Sequence, residues 1–247
     1  MKRSVIAICL LVTPLTCFAI NAKDIIRNAI DKYRGETSYS EITITIHRED
    51  WERTMTVKAW TKGLNKSLVR ILSPRKDEGS GNLLIDKNMW SYTPKINRII
   101  KIPPSMSNQS WMGSDFSNND IARADDIVDE YDHKLLKESK EDGHEVYLIE
   151  SIPHDDAPVV WGKEVSKIRD DFVELEHRYY DQDGKLIKKL TTLDIKNFSG
   201  RIVPSVQRMQ KEDAKNEWTE VRVDRADYGV KLPSRLFTLS SLRNPRM

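Results

Sequence analysis

GSGNLLIDKNMWSYTPKINRIIKIPPSMSNQSWMGSDFSNND, residues 79–120, is the stretch from which the fold is read. Its first half sets short β-forming runs between turns. Leu83, Leu84 and Ile85 precede Asp86-Lys87-Asn88; Met89, Trp90 and Tyr92 follow, and Pro94 ends that run. Arg98 to Ile102 resumes it until Pro103-Pro104. From Ser105 to Asn119 the composition turns to small polar residues around Met106, Trp111, Met112 and Phe116. A segment made only to connect strands is shorter and more polar than this. Two readings follow. The four side chains plug the end of an ordinary core, or they form a lid over an apolar cavity, mobile when empty and ordered over cargo. Gly113 would be its pivot, because glycine tolerates most backbone angles.

Upstream of this stretch, Asp24 to Gly35 is an amphipathic helix: Ile25, Ile26, Ala29, Ile30 and Tyr33 recur at helical spacing and Gly35 is a C-cap. The period then changes to two. Ile42, Ile44 and Ile46 alternate with polar residues, as do Met55, Val57 and Ala59. Such alternation means strands with one dry and one wet face. Val69 and Ile71 continue the dry face, and Leu83 and Ile85 are assigned to it as well. If that face is concave, Ile26 and Ile30 of the helix partly fill it. Downstream, Ile121 to Asp129 is a short acidic helix. Strand-like runs then continue through hairpin turns, of which Asp181-Gln182-Asp183-Gly184 is the clearest. One N-terminal helix and about eleven strands, with no βαβ rhythm, repeat or linker, predict a mainly β fold: one antiparallel sheet curled into an unclosed barrel.

The chain of 247 residues begins with Lys2-Arg3, an almost wholly apolar run from Val5 to Phe18, and Ala19. This is the pattern of a secretory signal peptide over residues 1–19, leaving residues 20–247 as one domain. Cleavage after Ala22 is the competing choice. Cys17 is preceded by Pro14, Leu15 and Thr16, which does not make a lipobox, so a free exported protein is expected. Both cysteines, Cys9 and Cys17, lie inside the signal. The remainder reaches a disulfide-permissive compartment without a thiol and depends on its core. The formal charge of +2 falls to 0 once Lys2 and Arg3 leave, because residues 1–19 hold no acidic group. A neutral chain argues against nucleic acid as a partner.

Motifs for covalent chemistry are missing. His47, His133, His144, His154 and His177 show no metal-ligand spacing. Residues 115–126 have the length of a calcium loop but hold Asp120 where glycine is required and Asp126 where glutamate is. Gly79-Ser80-Gly81 is neither a nucleophile elbow nor a phosphate loop. Glu174, Glu176 and Arg178 read as a solvated strand face. No catalytic residue, metal or cofactor is assigned, and binding or transport is favoured over enzyme chemistry. Of six tryptophans, Trp111 is singled out because it lies beside two adaptable methionines.

The helix-plus-β layout, the GSGNLLIDKNMWSYTPKINRIIKIPPS run and the following SWMGSDFSNND resemble the LolA-like group of outer-membrane lipoprotein-sorting proteins, within the LolA/LolB superfamily. The resemblance implies an unclosed barrel of about eleven strands around an N-terminal helix, with a lid. It implies a periplasmic carrier of the acyl chains of lipoproteins or other lipids. An inner-membrane transporter would be the donor, an outer-membrane component the acceptor, and the carrier a monomer. Other members of the group are periplasmic sensors, so a sensor or adaptor for a membrane protein is the alternative. The group's functional arginine has no assignable equivalent here.

Overall fold

Period-two alternation becomes thirteen strands of one antiparallel sheet in the computed structural model, which describes residues 21–122, 125–157 and 159–244. The expected signal peptide lies outside the described residues. The first six strands form an outward meander: β1 (Thr37–His47), β2 (Glu52–Lys62), β3 (Lys66–Ser73), β4 (Gly81–Ile85), β5 (Asn88–Thr93) and β6 (Arg98–Lys101). Seven more run inward: β7 (Tyr131–Glu141), β8 (His144–Pro153), β9 (Lys163–Arg169), β10 (Glu174–Tyr180), β11 (Leu186–Phe198), β12 (Arg201–Lys211) and β13 (Trp218–Tyr228). The two meanders join where β13 pairs with β1, with Ile44 opposite Val221. β6 and β7 are the free edges, so the sheet curls without closing. The expected half-barrel is present. It has two strands more than anticipated, because the short runs of residues 79–102 each pair as a separate strand.

Helix α1 (Ala22–Arg34) begins at Asn21, whose side chain accepts from the Lys23 N–H at 3.0 Å. It ends at Gly35, which has φ 64° and whose N–H donates to Asp31 O at 2.8 Å. Ala22, Ile25 and Ile26 pack with Tyr131, Tyr147, Ile149 and Ile168 of β7 to β9. The same cluster takes Ile127 and Val128 of the short helix α3 (Asp126–Asp129).

The two faces of β1 to β5 have different partners. Ile44, Ile46, Met55, Val57, Ile71, Leu84 and Met89 form the inner core together with Trp111. Trp60, Leu68, Leu83 and Tyr92 face the other way, under Leu236, Phe237 and Leu242 of the C-terminal segment. That segment holds α4 (Leu239–Arg243). It is pinned by Arg70, whose Nη2 donates to the Ser241 carbonyl at 2.9 Å and to the Leu242 carbonyl. This corrects the placement of Leu83 and Ile85 on the cavity side. Leu83 lies opposite Leu68, not Val69, and only Leu84 of the run Leu83-Leu84-Ile85 points inward. A shift of one residue exchanges the faces of a strand.

Candidate functional site

Curling leaves the concave face unfilled beneath α1, where there is a partly open cavity of about 360 Å³. Ile26 and Ile30 of α1 line it, and Ala29 and Tyr33 extend that face. Across from them stand Ile42 and Ile44 of β1, Val57 of β2 and Val69 of β3. Trp111 and Phe116 close one end. Ile46, Met55 and Ile71 do not reach the cavity: each is at most 1 % exposed, locked in the core below Trp111. Met106 and Met112 do not line it either. Met112 packs against the edge of the inner core, and Met106 ends a 3-10 turn whose carbonyl accepts from Asn118 Nδ2 at 3.0 Å.

The segment from Pro103 to Asp120 crosses from β6 towards β7 and is fastened at several points. Trp111 is 5 % exposed, and its Nε1–H donates to Asn82 Oδ1 at 3.0 Å. Asp115 accepts from Arg48 Nη1 and Nη2, both at 3.1 Å, and from the Thr219 hydroxyl at 2.7 Å. Arg48 Nη2 also donates to the Gly113 carbonyl, and Arg53 to that of Met112. Met112 and Gly113 hold successive positive φ values of 54° and 78°. Asp120, in helix α2 (Asn118–Ala122), is paired with Lys188 of β11. In this state the segment is a docked plug whose central side chain belongs to the core.

One wall of the cavity is polar, a feature that sequence reading missed. Glu164 and Ser166 of β9 and Glu174, His177 and Tyr179 of β10 face inward. His177 Nε2 lies 2.6 Å from Glu164 Oε2 and its Nδ1 2.9 Å from Glu174 Oε1. Tyr131 donates its hydroxyl to Glu164 Oε1 at 2.6 Å, and burial holds that phenol well above its ordinary range. Burial also disfavours the imidazolium of His177. The charge of Glu174 and the hydrogen bonds to both carboxylates outweigh this and push its pKa up to about 10. Ser166 Oγ sits 3.3 Å from Nδ1, which gives a serine–histidine–glutamate grouping. The same nitrogen lies nearer to Glu174, at 2.9 Å, so it is not held free to take the serine proton as a nucleophile relay requires. Beside it, the ammonium of Lys188 lies 5.0 Å from the Trp161 ring centroid and 4.9 Å from that of Tyr179.

The assignment of Glu174 to a solvated face is therefore wrong, and the reason is a register shift. Glu174 pairs with Ile168 but Glu176 with Lys167, so the strand bulges between them. The bulge turns Glu174 to the same side as His177, three residues on. Lys188 carried a legible signal, since Leu186, Lys188 and Leu190 share one face of a strand. Trp161 also lines the cavity, though Trp111 alone had been singled out. Among the described residues, His144, Asp170 and Asp171 have the spacing of cation ligands. They lie away from the cavity, and Arg169 already holds Asp171 with contacts of 3.0 and 2.7 Å.

A family model described as "Uncharacterized protein" matches residues 63–244. No curated protein matches the chain. Among solved structures, a DUF1329 family protein from Desulfovibrio piger is 28% identical with a TM-score of 0.82, over 90% of this chain and 97% of its own. A putative outer membrane lipoprotein-sorting protein domain from Vibrio parahaemolyticus is 21% identical with a TM-score of 0.78, over 91% and 100%. A LolA superfamily protein from Nitrosomonas europaea is 21% identical with a TM-score of 0.75, over 90% and 99%. The resemblance to the LolA-like group is thus borne out at the level of the fold.

Proposed function

From the premise that the chain belongs to the family of uncharacterized proteins whose model matches residues 63–244, and has the LolA-like fold, we propose that it is a periplasmic carrier. It would take acyl chains of lipoproteins or other lipids from an inner-membrane transporter to an outer-membrane acceptor. Residues 1–19 would be its export signal and the working form a monomer. The observation that carries this reading is the partly open cavity between α1 and the concave face, apolar along α1 and β1 to β3. Exposing an acyl chain to water costs about 0.8 kcal/mol per CH₂, or roughly 12 kcal/mol for about sixteen carbons. A half-open barrel hides that surface and releases it by moving one docked segment, without bond chemistry or a cofactor.

Native mass spectrometry of protein purified from the periplasm tests the proposal. Co-purifying lipid or lipoprotein supports a carrier. A stoichiometric protein partner over an empty cavity would overturn it in favour of an adaptor that uses the same fold.

A further inference from the structure

The cavity ends differ in charge. At the lid end stand Asp120, Glu164 and Glu174, the last two already sharing His177. At the other end, where α1 finishes, Lys32 and Arg34 line the wall beside Thr61 of β2 and Ser67 of β3, which are paired in register. Along β2 the lining runs from Val57 to Thr61, about 13 Å at ~3.3 Å per residue, so the two ends are apart.

Arg34 is incompletely bonded. Its Nε donates to the Gly63 carbonyl at 3.2 Å. Its Nη2 is sealed from solvent without an acceptor. Nη1 has no acceptor and the guanidinium no ion pair among the described residues. Asp125 acts on it electrostatically without contact, and Asp126 is held by Lys87 at 3.4 Å. Burial lowers the pKa of Arg34, yet an arginine stays charged at any physiological pH. A half-buried cation without a counter-ion is costly, and an oxyanion accepting from Nη1 would supply one.

We propose that Arg34 makes the α1 end of the cavity a seat for an oxyanion, so that the preferred cargo is an amphiphile with a carboxylate or phosphate head. The inference rests on the carrier reading and narrows its cargo. The hydrocarbon chain runs towards the lid, where Trp111 and Phe116 line the cavity. A neutral glyceride head can accept a hydrogen bond but leaves the guanidinium without a counter-ion.

Calorimetric titration of delipidated protein with three probes of one sixteen-carbon chain tests this: palmitate, lysophosphatidylglycerol and monopalmitin. The wild type is expected to prefer at least one anion over monopalmitin by about tenfold or more, the scale of one charge-assisted hydrogen bond. Which anion is preferred separates carboxylate from phosphodiester. Arg34→Gln should abolish the preference and leave monopalmitin affinity unchanged, whereas Arg34→Lys should keep part of it. Melting curves of both variants show whether the fold survives, and the wild-type preference stands independently of them. Equal affinity for all three probes, or a preference that persists in a folded Arg34→Gln, overturns the oxyanion seat and leaves the carrier standing. Binding of none of the three overturns the carrier reading itself.

Discussion

Replacing Trp111 by alanine removes the side chain that fastens the lid segment to the sheet by packing. Trp111 is 5 % exposed and sits among Ile44, Ile46, Met55, Leu84 and Met89. Truncating a buried tryptophan to alanine costs about 3–5 kcal/mol. The indole N–H also satisfies Asn82 Oδ1 at 3.0 Å, and Asn82 is itself buried. Leaving that oxygen unpaired adds about 1–3 kcal/mol, less whatever a water entering the new space recovers. A domain is stable by about 5–15 kcal/mol in all, so this one change is expected to remove a large share. A loss of this size is what the plug reading of the segment requires, whereas a lid resting loosely on the sheet would lose little. Guanidinium unfolding of Trp111→Ala measures the loss. Trp111→Phe, which keeps most of the volume and loses only the Asn82 bond, should fall between variant and wild type. Hydrogen exchange across residues 109–119 locates the damage, since the Trp111 N–H donates to Phe116 O and the Asn119 N–H to Ser107 O within the lid. An unfolding free energy within about 1 kcal/mol of wild type would refute the reasoning, being below the lower bound for a core tryptophan. If lid amides alone lost protection, the segment would be a separate unit that opens by itself.

Asp115→Ala should destabilise by about 1–3 kcal/mol, because it removes the two-pronged partner of Arg48 and of the Thr219 hydroxyl while Glu217, 3.4 Å from Arg48 Nε, still balances the charge; thermal melts of Asp115→Ala and Arg48→Ala check it. His177, held charged with a pKa near 10, contributes stability that is fully present below its unfolded value of about 6.5. That contribution fades as pH rises towards 10, so the difference in unfolding free energy between wild type and His177→Gln should shrink between pH 6.5 and 10. Ile44→Glu places an unpaired carboxylate on the apolar cavity wall and should lower both melting temperature and lipid uptake; no change in either would show that Ile44 meets water. N-terminal sequencing of exported protein should begin at Ile20, or at Lys23, and an acylated Cys17 would make it membrane-anchored instead.

Much of the fold was legible from local signals. The α1 stripe with its Gly35 stop, the alternation of Ile42-Ile44-Ile46 and the hairpin turns each depend on a few neighbouring residues, and each stands where it was read. Alternation, however, says only that a strand has two faces. Which face is concave depends on β13 returning to β1 across the length of the chain, and no local pattern encodes that pairing. Leu83 was misplaced for this reason: both faces of β4 are apolar, one under Trp111 and Met89, the other under the C-terminal segment. Trp111 looked like a lid residue by its polar neighbours, but burial follows from the sheet it reaches. The polar wall was hidden for a third reason. A bulge changes the parity of β10, and Glu164, Glu174 and His177 look like solvated charges until β9 and β10 pair and turn them to one face. Buried charges persist only when partnered, and some partners lie far along the chain, Asp120 for Lys188 and Tyr131 for Glu164, so strand register and tertiary packing decide which charges face the cavity.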